Sequence, residues 1–154
     1  MHATLPKTSL KILLAEDDAD DRFFFAKALN DLAIDTHLTM VHDGEALMEY
    51  LSEHLQNLPD VLFLDLSMPR KSGFECLTEI KDELQLIGLP VIMFSTAYPR
   101  DFKYEQSIIG MLLNIGAYDF IRKPNDFAGL KKVLFASLSK LTANKNTSTL
   151  NIFE

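Results

Sequence analysis

The chain has 154 residues, of which 47% are hydrophobic and 24% are charged, a composition typical of one soluble globular domain that can bury its own core. Its net charge of −7 disfavours nonspecific binding to nucleic acid or to an anionic membrane. The lone cysteine, Cys76, excludes an internal disulfide and favours a reducing cytoplasm. We find no signal-peptide pattern and no apolar run near the ~18 residues of a membrane span.

Five short apolar runs predict β-strands. In chain order they are Lys11–Ala15, Thr36–Val41, Val61–Leu64, Pro90–Ser95 and Asp119–Arg122. In the second run, Leu38 and Met40 alternate with polar neighbours, which indicates an edge strand with one covered face. The other runs are almost wholly apolar and are typical of strands buried on both faces. We therefore predict one sheet with four central or inner strands and an exposed second strand.

Segments with helical periodicity separate and follow these strands. The first extends from about Asp20 to Leu32, the second is capped by Asp43, and the third opens with the capping-box pattern Ser72-Gly73-Phe74-Glu75. The fourth ends near Ile115, and the fifth follows Asp126. This strict alternation predicts a parallel sheet with helices on both faces. We expect an N-terminal extension at 1–9, one domain at 10–141 and a flexible tail at 142–154.

Chemically active side chains follow four of the predicted strands. They are Glu16-Asp17-Asp18, Asp65, Ser95-Thr96 and Lys123. Ligands of open α/β sheets bind outside the carboxyl ends of the strands, so these groups converge if the first and third strands are neighbours. Clustered carboxylates repel one another, and a hard cation such as Mg2+ removes that repulsion. Together with a lysine and a hydroxyl as anion donors, the set suits phosphoryl transfer onto an aspartate.

Each of these groups also has a purely structural interpretation. The acidic run can be a solvated loop in which Asp18 or Asp20 caps a helix, Asp65 can order a turn, and Lys123 can be a surface lysine. Their joint occurrence at the ends of four different strands favours the functional interpretation.

At these positions the chain resembles the response-regulator receiver domain of two-component signalling, of the stand-alone, chemotaxis-regulator-like type. The resemblance rests on ILLAEDD (12–18), VLFLDLSMP (61–69), Gly73, PVIMFSTA (90–97) and GAYDFIRKP (116–124). It implies a flavodoxin-like (βα)5 fold over residues 10–141, with strand order 2-1-3-4-5. It also implies a cytoplasmic phosphoprotein whose enzymatic activity is limited to self-catalysed phosphotransfer and autodephosphorylation.

The resemblance assigns a phosphoacceptor and a metal site. Asp65 would accept a phosphoryl group from a sensor histidine kinase or a histidine phosphotransfer protein. Glu16 and Asp17 would hold Mg2+ together with Asp65, with Asp17 as a direct ligand and Glu16 acting largely through water. Ser67 would contribute its backbone carbonyl to the metal, so its side chain should matter little.

The resemblance also assigns a switch. Ser95, with Thr96 as the runner-up, would supply the hydroxyl that moves onto the phosphoryl group, and Lys123 would bind its oxygens. The Lys123-Pro124 bond would be cis, and Phe120 would turn inward on phosphorylation. An output protein would then read the face formed by the fourth helix, the fifth strand and the fifth helix.

Two segments depart from the family pattern. The stretch at about Tyr98–Tyr104 is longer than usual, which fits a partner-recognition loop, a longer start to the fourth helix or a packed surface excursion. The fourth helix is apolar almost all round, which favours a homodimer through the same output face. Phe23 and Phe24 could touch a kinase, although burial of both rings in the core is the preferred interpretation.

Three other functions stay open. A phosphorelay shuttle would pass its phosphate to a histidine phosphotransfer protein. An aspartyl-nucleophile phosphohydrolase needs a second aspartate two residues after the first, where this chain has Ser67. A receiver-like scaffold that never takes phosphate usually lacks an acidic residue or the lysine, and this chain keeps them all.

Overall fold

The computed structural model describes residues 9–96 and 102–152, with side chains as far as residue 144. Within these residues five strands alternate with five helices, close to the predicted bounds. They are β1 (Leu10–Ala15), α1 (Ala19–Asp31), β2 (Thr36–Val41), α2 (Gly44–Glu53), β3 (Val61–Leu64), α3 (Gly73–Asp82), β4 (Val91–Ser95), α4 (Phe102–Ile115), β5 (Asp119–Arg122) and α5 (Phe127–Ile152).

The five strands form one parallel sheet in the order β2-β1-β3-β4-β5, which confirms the predicted flavodoxin-like fold and the edge position of β2. The inner position that the apolar pattern indicated for the fifth strand is wrong, because among the described strands β5 pairs only with β4 and forms the other edge. The register between β1 and β3 sets Ala15 opposite Leu64. The next residue of each strand therefore lies at the same edge of the sheet, and the Asp65 amide donates to the Ala15 carbonyl at 3.1 Å. This pairing brings the acidic run after β1 beside the aspartate after β3.

Two apolar cores lie on opposite faces of the sheet. One packs strand residues such as Leu13 and Leu62 against α2, α3 and α4. The other packs Phe25 of α1 and residues of α5 against Phe63 and Phe94, whose three rings meet edge to face at 5.1 to 6.1 Å. Because successive strand side chains point to opposite faces, the all-apolar runs supply both cores.

Side-chain caps fix where three helices begin. Asp43 accepts a hydrogen bond from the Ala46 amide at 2.8 Å at the start of α2. Ser72 and Glu75 complete the predicted capping box of α3. Asp18 caps α1, so the structural role considered for the acidic run applies to this one residue.

The expected cis bond between Lys123 and Pro124 is a wrong prediction, because no cis peptide occurs among the residues that the structure describes. The Lys123 amide extends the β4–β5 pairing by donating to the Ser95 carbonyl at 2.8 Å. The bond therefore adopts the trans form, which X-Pro sequences favour by about 0.5–1 kcal/mol where packing does not select cis.

The preferred burial of the phenylalanine pair in α1 is also wrong. Phe23 is 60% exposed and Phe24 is 46% exposed, whereas Phe25 is buried. With about 3.6 residues per turn, three consecutive side chains cannot share one face of a helix.

The two unusual segments are described in part. Residues 97–101 lie outside the described part of the chain, and α4 begins at Phe102, within the long segment. Helix α5 continues to Ile152, so the backbone of residues 142–152 is helical, while the flexibility of this tail stays a prediction. Among the helices within the described ranges, none combines the length and apolar character that crossing a membrane requires.

Candidate functional site

Three carboxylates meet at the carboxyl edge of the sheet. Glu16, Asp17 and Asp65 offer oxygen atoms that all lie within 4.8 Å of one another. Glu16 and Asp65 are buried, whereas Asp17 is exposed. The two strand ends place these residues, because Glu16 continues the β1–β2 ladder by donating its amide to the Val41 carbonyl at 3.1 Å. The predicted convergence is thus present in the structure.

Burial of a carboxyl beside another acid is unfavourable for its charged form. Burial raises the pKa of Glu16 from 4.5 to about 8, and the charge of Asp65 adds to the rise, although the hydrogen bond from Lys123 opposes it. A hard cation bound by oxygen ligands would remove this penalty, so the residues present fit Mg2+ or a similar divalent ion. The exposed Asp17 leaves one side of the cluster open to water.

Lys123 approaches this cluster from the end of β5. Its ammonium lies 2.5 Å from Glu16 Oε1 and 3.5 Å from Asp65 Oδ2. Burial lowers the pKa of Lys123, but the hydrogen bond with Glu16 and the charges of Asp65 and Glu16 outweigh burial and raise it above its ordinary value. The lysine therefore keeps its positive charge at neutral pH beside the candidate phosphoacceptor.

The other predicted residues lie at the end of β4, in β5 and in the connection after β3. Ser95 ends β4 and is buried, whereas the runner-up Thr96 is exposed just beyond the strand. Phe120 is half-buried and packs against the core on the side of α4. The Ser67 amide donates to Asp65 Oδ1 at 3.3 Å, which shows that the backbone after β3 folds back over the carboxylate.

Gly73 holds this loop against the strand end. Its amide donates to the Leu66 carbonyl at 2.9 Å, and a Cβ at this position would lie 2.2 Å from the Asp65 carbonyl oxygen. Only glycine permits this close approach of two backbones, which explains its place in the motif.

Sequence analysis missed two residues of α1 that contact the site. Asp21 Oδ2 lies 3.1 Å from the Lys123 ammonium. The Arg22 guanidinium donates to the Glu16 backbone carbonyl at 2.8 Å. Both lie within one helical turn of the cap Asp18, but their reach to the site depends on the angle between α1 and the sheet, which the sequence pattern does not give.

The family model of the response regulator receiver domain matches residues 12–135. The chain belongs to the response regulator receiver domain family. This identification agrees with the five-stranded sheet and accounts for the residues at its carboxyl edge. It bears out the resemblance, while the roles of individual residues in this receiver domain stay predictions.

Relatives of this receiver domain include a response regulator and a probable regulatory protein. Response regulator Rcp1 of Synechocystis is 35% identical over 58% of this chain and 64% of its own length. The probable methanogenesis regulatory protein FilR2 of Methanothrix harundinacea is 31% identical over 58% of this chain and 60% of its own length. The matched segment thus spans less than two thirds of either relative.

Solved structures with the same fold include two cyanobacterial-type regulators. The phosphorylated cyanobacterial phytochrome response regulator RcpA has a TM-score of 0.70 and 28% identity, covering 82% of this chain and 89% of RcpA. The Mn2+-bound form of Rcp1 has a TM-score of 0.68 and 28% identity, covering 80% of this chain and 87% of that one.

Proposed function

We propose that this receiver domain accepts a phosphoryl group on Asp65 from the phosphohistidine of a sensor kinase or a histidine phosphotransfer protein. The observation that carries the proposal is the convergence of Asp65 with two further acids and the Lys123 ammonium at one sheet edge. Phosphoryl transfer requires a nucleophile, a cation site and donors for the phosphoryl oxygens, and these residues supply all three. Phosphorylation of RcpA and metal binding by Rcp1 support the same chemistry here.

Glu16, Asp17 and Asp65 would hold Mg2+, with the Ser67 backbone carbonyl as a further ligand. When bound, the metal supplies positive charge that neutralises the phosphoryl oxygens during transfer. Asp65 attacks the phosphorus atom through a carboxylate oxygen, and the leaving group departs on the opposite side. Lys123 is already within 3.5 Å of Asp65 and pairs with a phosphoryl oxygen afterwards.

The buried hydroxyl of Ser95 is the proposed donor to the phosphoryl group, in preference to the exposed Thr96. Its movement towards the phosphoryl group would be followed by an inward turn of Phe120. This shifts the population of the α4-β5-α5 surface towards the form that an output partner binds. We place the protein in the cytoplasm, with a sensor kinase upstream and a protein partner downstream.

The same surface is the proposed site of homodimer formation. Met111 and Leu113 of α4 are 43% and 44% exposed, and Phe102 in its first turn is 72% exposed. Apolar side chains of this size on one helix support contact with a second protein surface.

Acetyl phosphate with Mg2+ tests the proposed function directly. Intact-mass measurement should show one added phosphoryl group on the wild type, and peptide mapping should place it on Asp65. Asp65→Ala should show none, whereas Asp82→Asn, which changes an exposed acid at the end of α3, should behave as wild type. Chelation of the metal should abolish the adduct.

Two results would overturn the proposal. The first is a wild type without an adduct when the metal and donor are saturating, and the second is an Asp65→Ala protein whose adduct equals that of the wild type. Sustained turnover of a small phosphate ester would instead identify a phosphohydrolase. Transfer of the phosphoryl group from Asp65 to a purified histidine phosphotransfer protein would identify a relay shuttle.

A further inference from the structure

The Lys123 ammonium is shared by three carboxylates, one of which lies outside the cluster assigned to the metal. Glu16 Oε1 lies 2.5 Å from the Lys123 nitrogen, Asp21 Oδ2 lies 3.1 Å from it, and Asp65 Oδ2 lies 3.5 Å from it. Lys123 is thus closer to Asp21 than to the candidate phosphoacceptor. The contacts with Glu16 and Asp21 are hydrogen bonds, whereas the contact with Asp65 is an ion pair without a hydrogen bond.

The first turn of α1 fixes Asp21 in this position. Its backbone amide donates to the Asp18 cap at 2.9 Å. The next residue, Arg22, anchors the same turn by donating to the Glu16 carbonyl at 2.8 Å. The Asp21 side chain therefore reaches Lys123 from a helix turn that is tied to the end of β1.

We propose that Asp21 is a positioning residue that restrains Lys123 in the unphosphorylated protein and thereby slows phosphoryl uptake at Asp65. This inference rests on the proposed function and deepens it. In the reaction with acetyl phosphate, an Asp65 oxygen forms a bond to phosphorus while the bond from phosphorus to the acetyl oxygen breaks. Acetate leaves with that electron pair, and Asp21 takes no part in the bond changes.

The greater exposure of the Asp21 side chain explains why Lys123 would leave Asp21, rather than Glu16, to bind a phosphoryl oxygen. The Glu16 side chain is 2% exposed and would lose a buried charge partner, whereas the Asp21 side chain is 45% exposed and can be rehydrated when Lys123 leaves. Asp21 and Lys123 also line the same cavity of about 420 Å³ between α1 and the start of α5. This opening lets water reach the Asp21 carboxylate when Lys123 leaves it.

The first test compares the rate of adduct formation in the full chain with Mg2+ and acetyl phosphate. Asp21→Asn removes the charge at similar size and should accelerate phosphorylation about threefold, the range expected for a partly exposed ion pair. Asp20→Asn is the matched control, because Asp20 is an exposed acid in the same helix turn. It should leave the rate near that of the wild type. Asp21→Ala provides a second variant, and thermal unfolding checks that each protein is folded.

Two further measurements separate restraint of the lysine from simple repulsion of an anionic donor. In a Lys123→Gln background, Asp21→Asn should no longer change the rate. With phosphoramidate, which carries less negative charge than acetyl phosphate, the ratio of Asp21→Asn to wild type should be the same as with acetyl phosphate. Persistence of the acceleration without Lys123, or its loss with phosphoramidate, would overturn the inference.

Failure of this inference is distinguishable from failure of the proposed function. A wild type that takes no phosphate contradicts the function itself. A wild type that is phosphorylated on Asp65, together with an Asp21→Asn protein that is no faster, contradicts only the role of Asp21. An equal acceleration by Asp20→Asn likewise leaves the function standing and refutes the specific contact.

Discussion

Replacement of Gly73 by alanine tests whether the contact beneath Asp65 positions the phosphoacceptor. The added Cβ would lie 2.2 Å from the Asp65 carbonyl oxygen and 2.9 Å from the Leu66 Cα. Ordinary contact begins at 3.4 Å, so the two backbones have to separate by about 1 Å. Since neither partner is the flexible end of a side chain, the start of α3 or the end of β3 has to shift.

The expected cost follows from this forced shift. Overpacking of a tight contact costs about 1–3 kcal/mol, and the gain in helix propensity from glycine to alanine recovers at most about 1 kcal/mol. In a chain of this length, each kcal/mol lowers the melting temperature by about 2–4 °C. We therefore expect Gly73→Ala to melt a few degrees below the wild type. A displacement of about 1 Å at a reacting group can cost roughly 100-fold, so phosphorylation of Asp65 should slow at least about tenfold.

Gly110→Ala is the matched control. Gly110 lies in α4, and nothing within 4 Å would meet an added Cβ. The same substitution should therefore stabilise the protein by about 0.5–1 kcal/mol. Thermal unfolding and the rate of adduct formation with acetyl phosphate measure both effects. A Gly73→Ala protein with the stability and rate of the wild type would refute the claim that this contact positions Asp65.

Three further predictions concern the site and its supporting loop. Ser95→Ala should weaken the phosphorylation-dependent change of the α4-β5-α5 face, whereas Thr96→Ala should leave it unchanged. NMR chemical shifts of the phosphorylated proteins measure this change, and the reverse result would assign the hydroxyl to Thr96. Burial holds the pKa of Glu16 at about 8 in the metal-free folded protein, against 4.5 ordinarily. The free energy of unfolding should therefore fall as the pH rises from 4.5 to about 8, and Glu16→Gln should flatten the dependence of melting temperature on pH. Ser72→Ala should cost about 1 kcal/mol through loss of the α3 cap, measured by urea unfolding, and an unchanged midpoint would contradict the capping role.

The fold could be predicted because each local signal agrees with the global arrangement. Buried strands read as continuous apolar runs, and the caps Asp43 and Ser72 mark the helix starts within one residue. The exposure of Phe23 was missed because the hydrophobicity of the rings outweighed the helical period. Phe25 shares the i, i+3, i+4 spacing with Ala28 and Leu29, whereas Phe23 and Phe24 project from other sides of α1.

In the candidate site, the residues at strand ends could be predicted from the sequence, whereas the contact from α1 could not. Asp65, Glu16 and Lys123 could be placed together because strand order and the direction of a parallel sheet fix where strand ends lie. Asp21 could not, because its reach to Lys123 depends on the angle at which α1 leaves the sheet, and the sequence pattern does not give that angle. Strand order determines which groups meet at the edge of the sheet. The contacts of one ammonium with several acids depend on distances that differ by 1 Å or less. The strand ends therefore predict the chemistry of the site, and in our proposal Asp21 of the neighbouring helix α1 adjusts its rate.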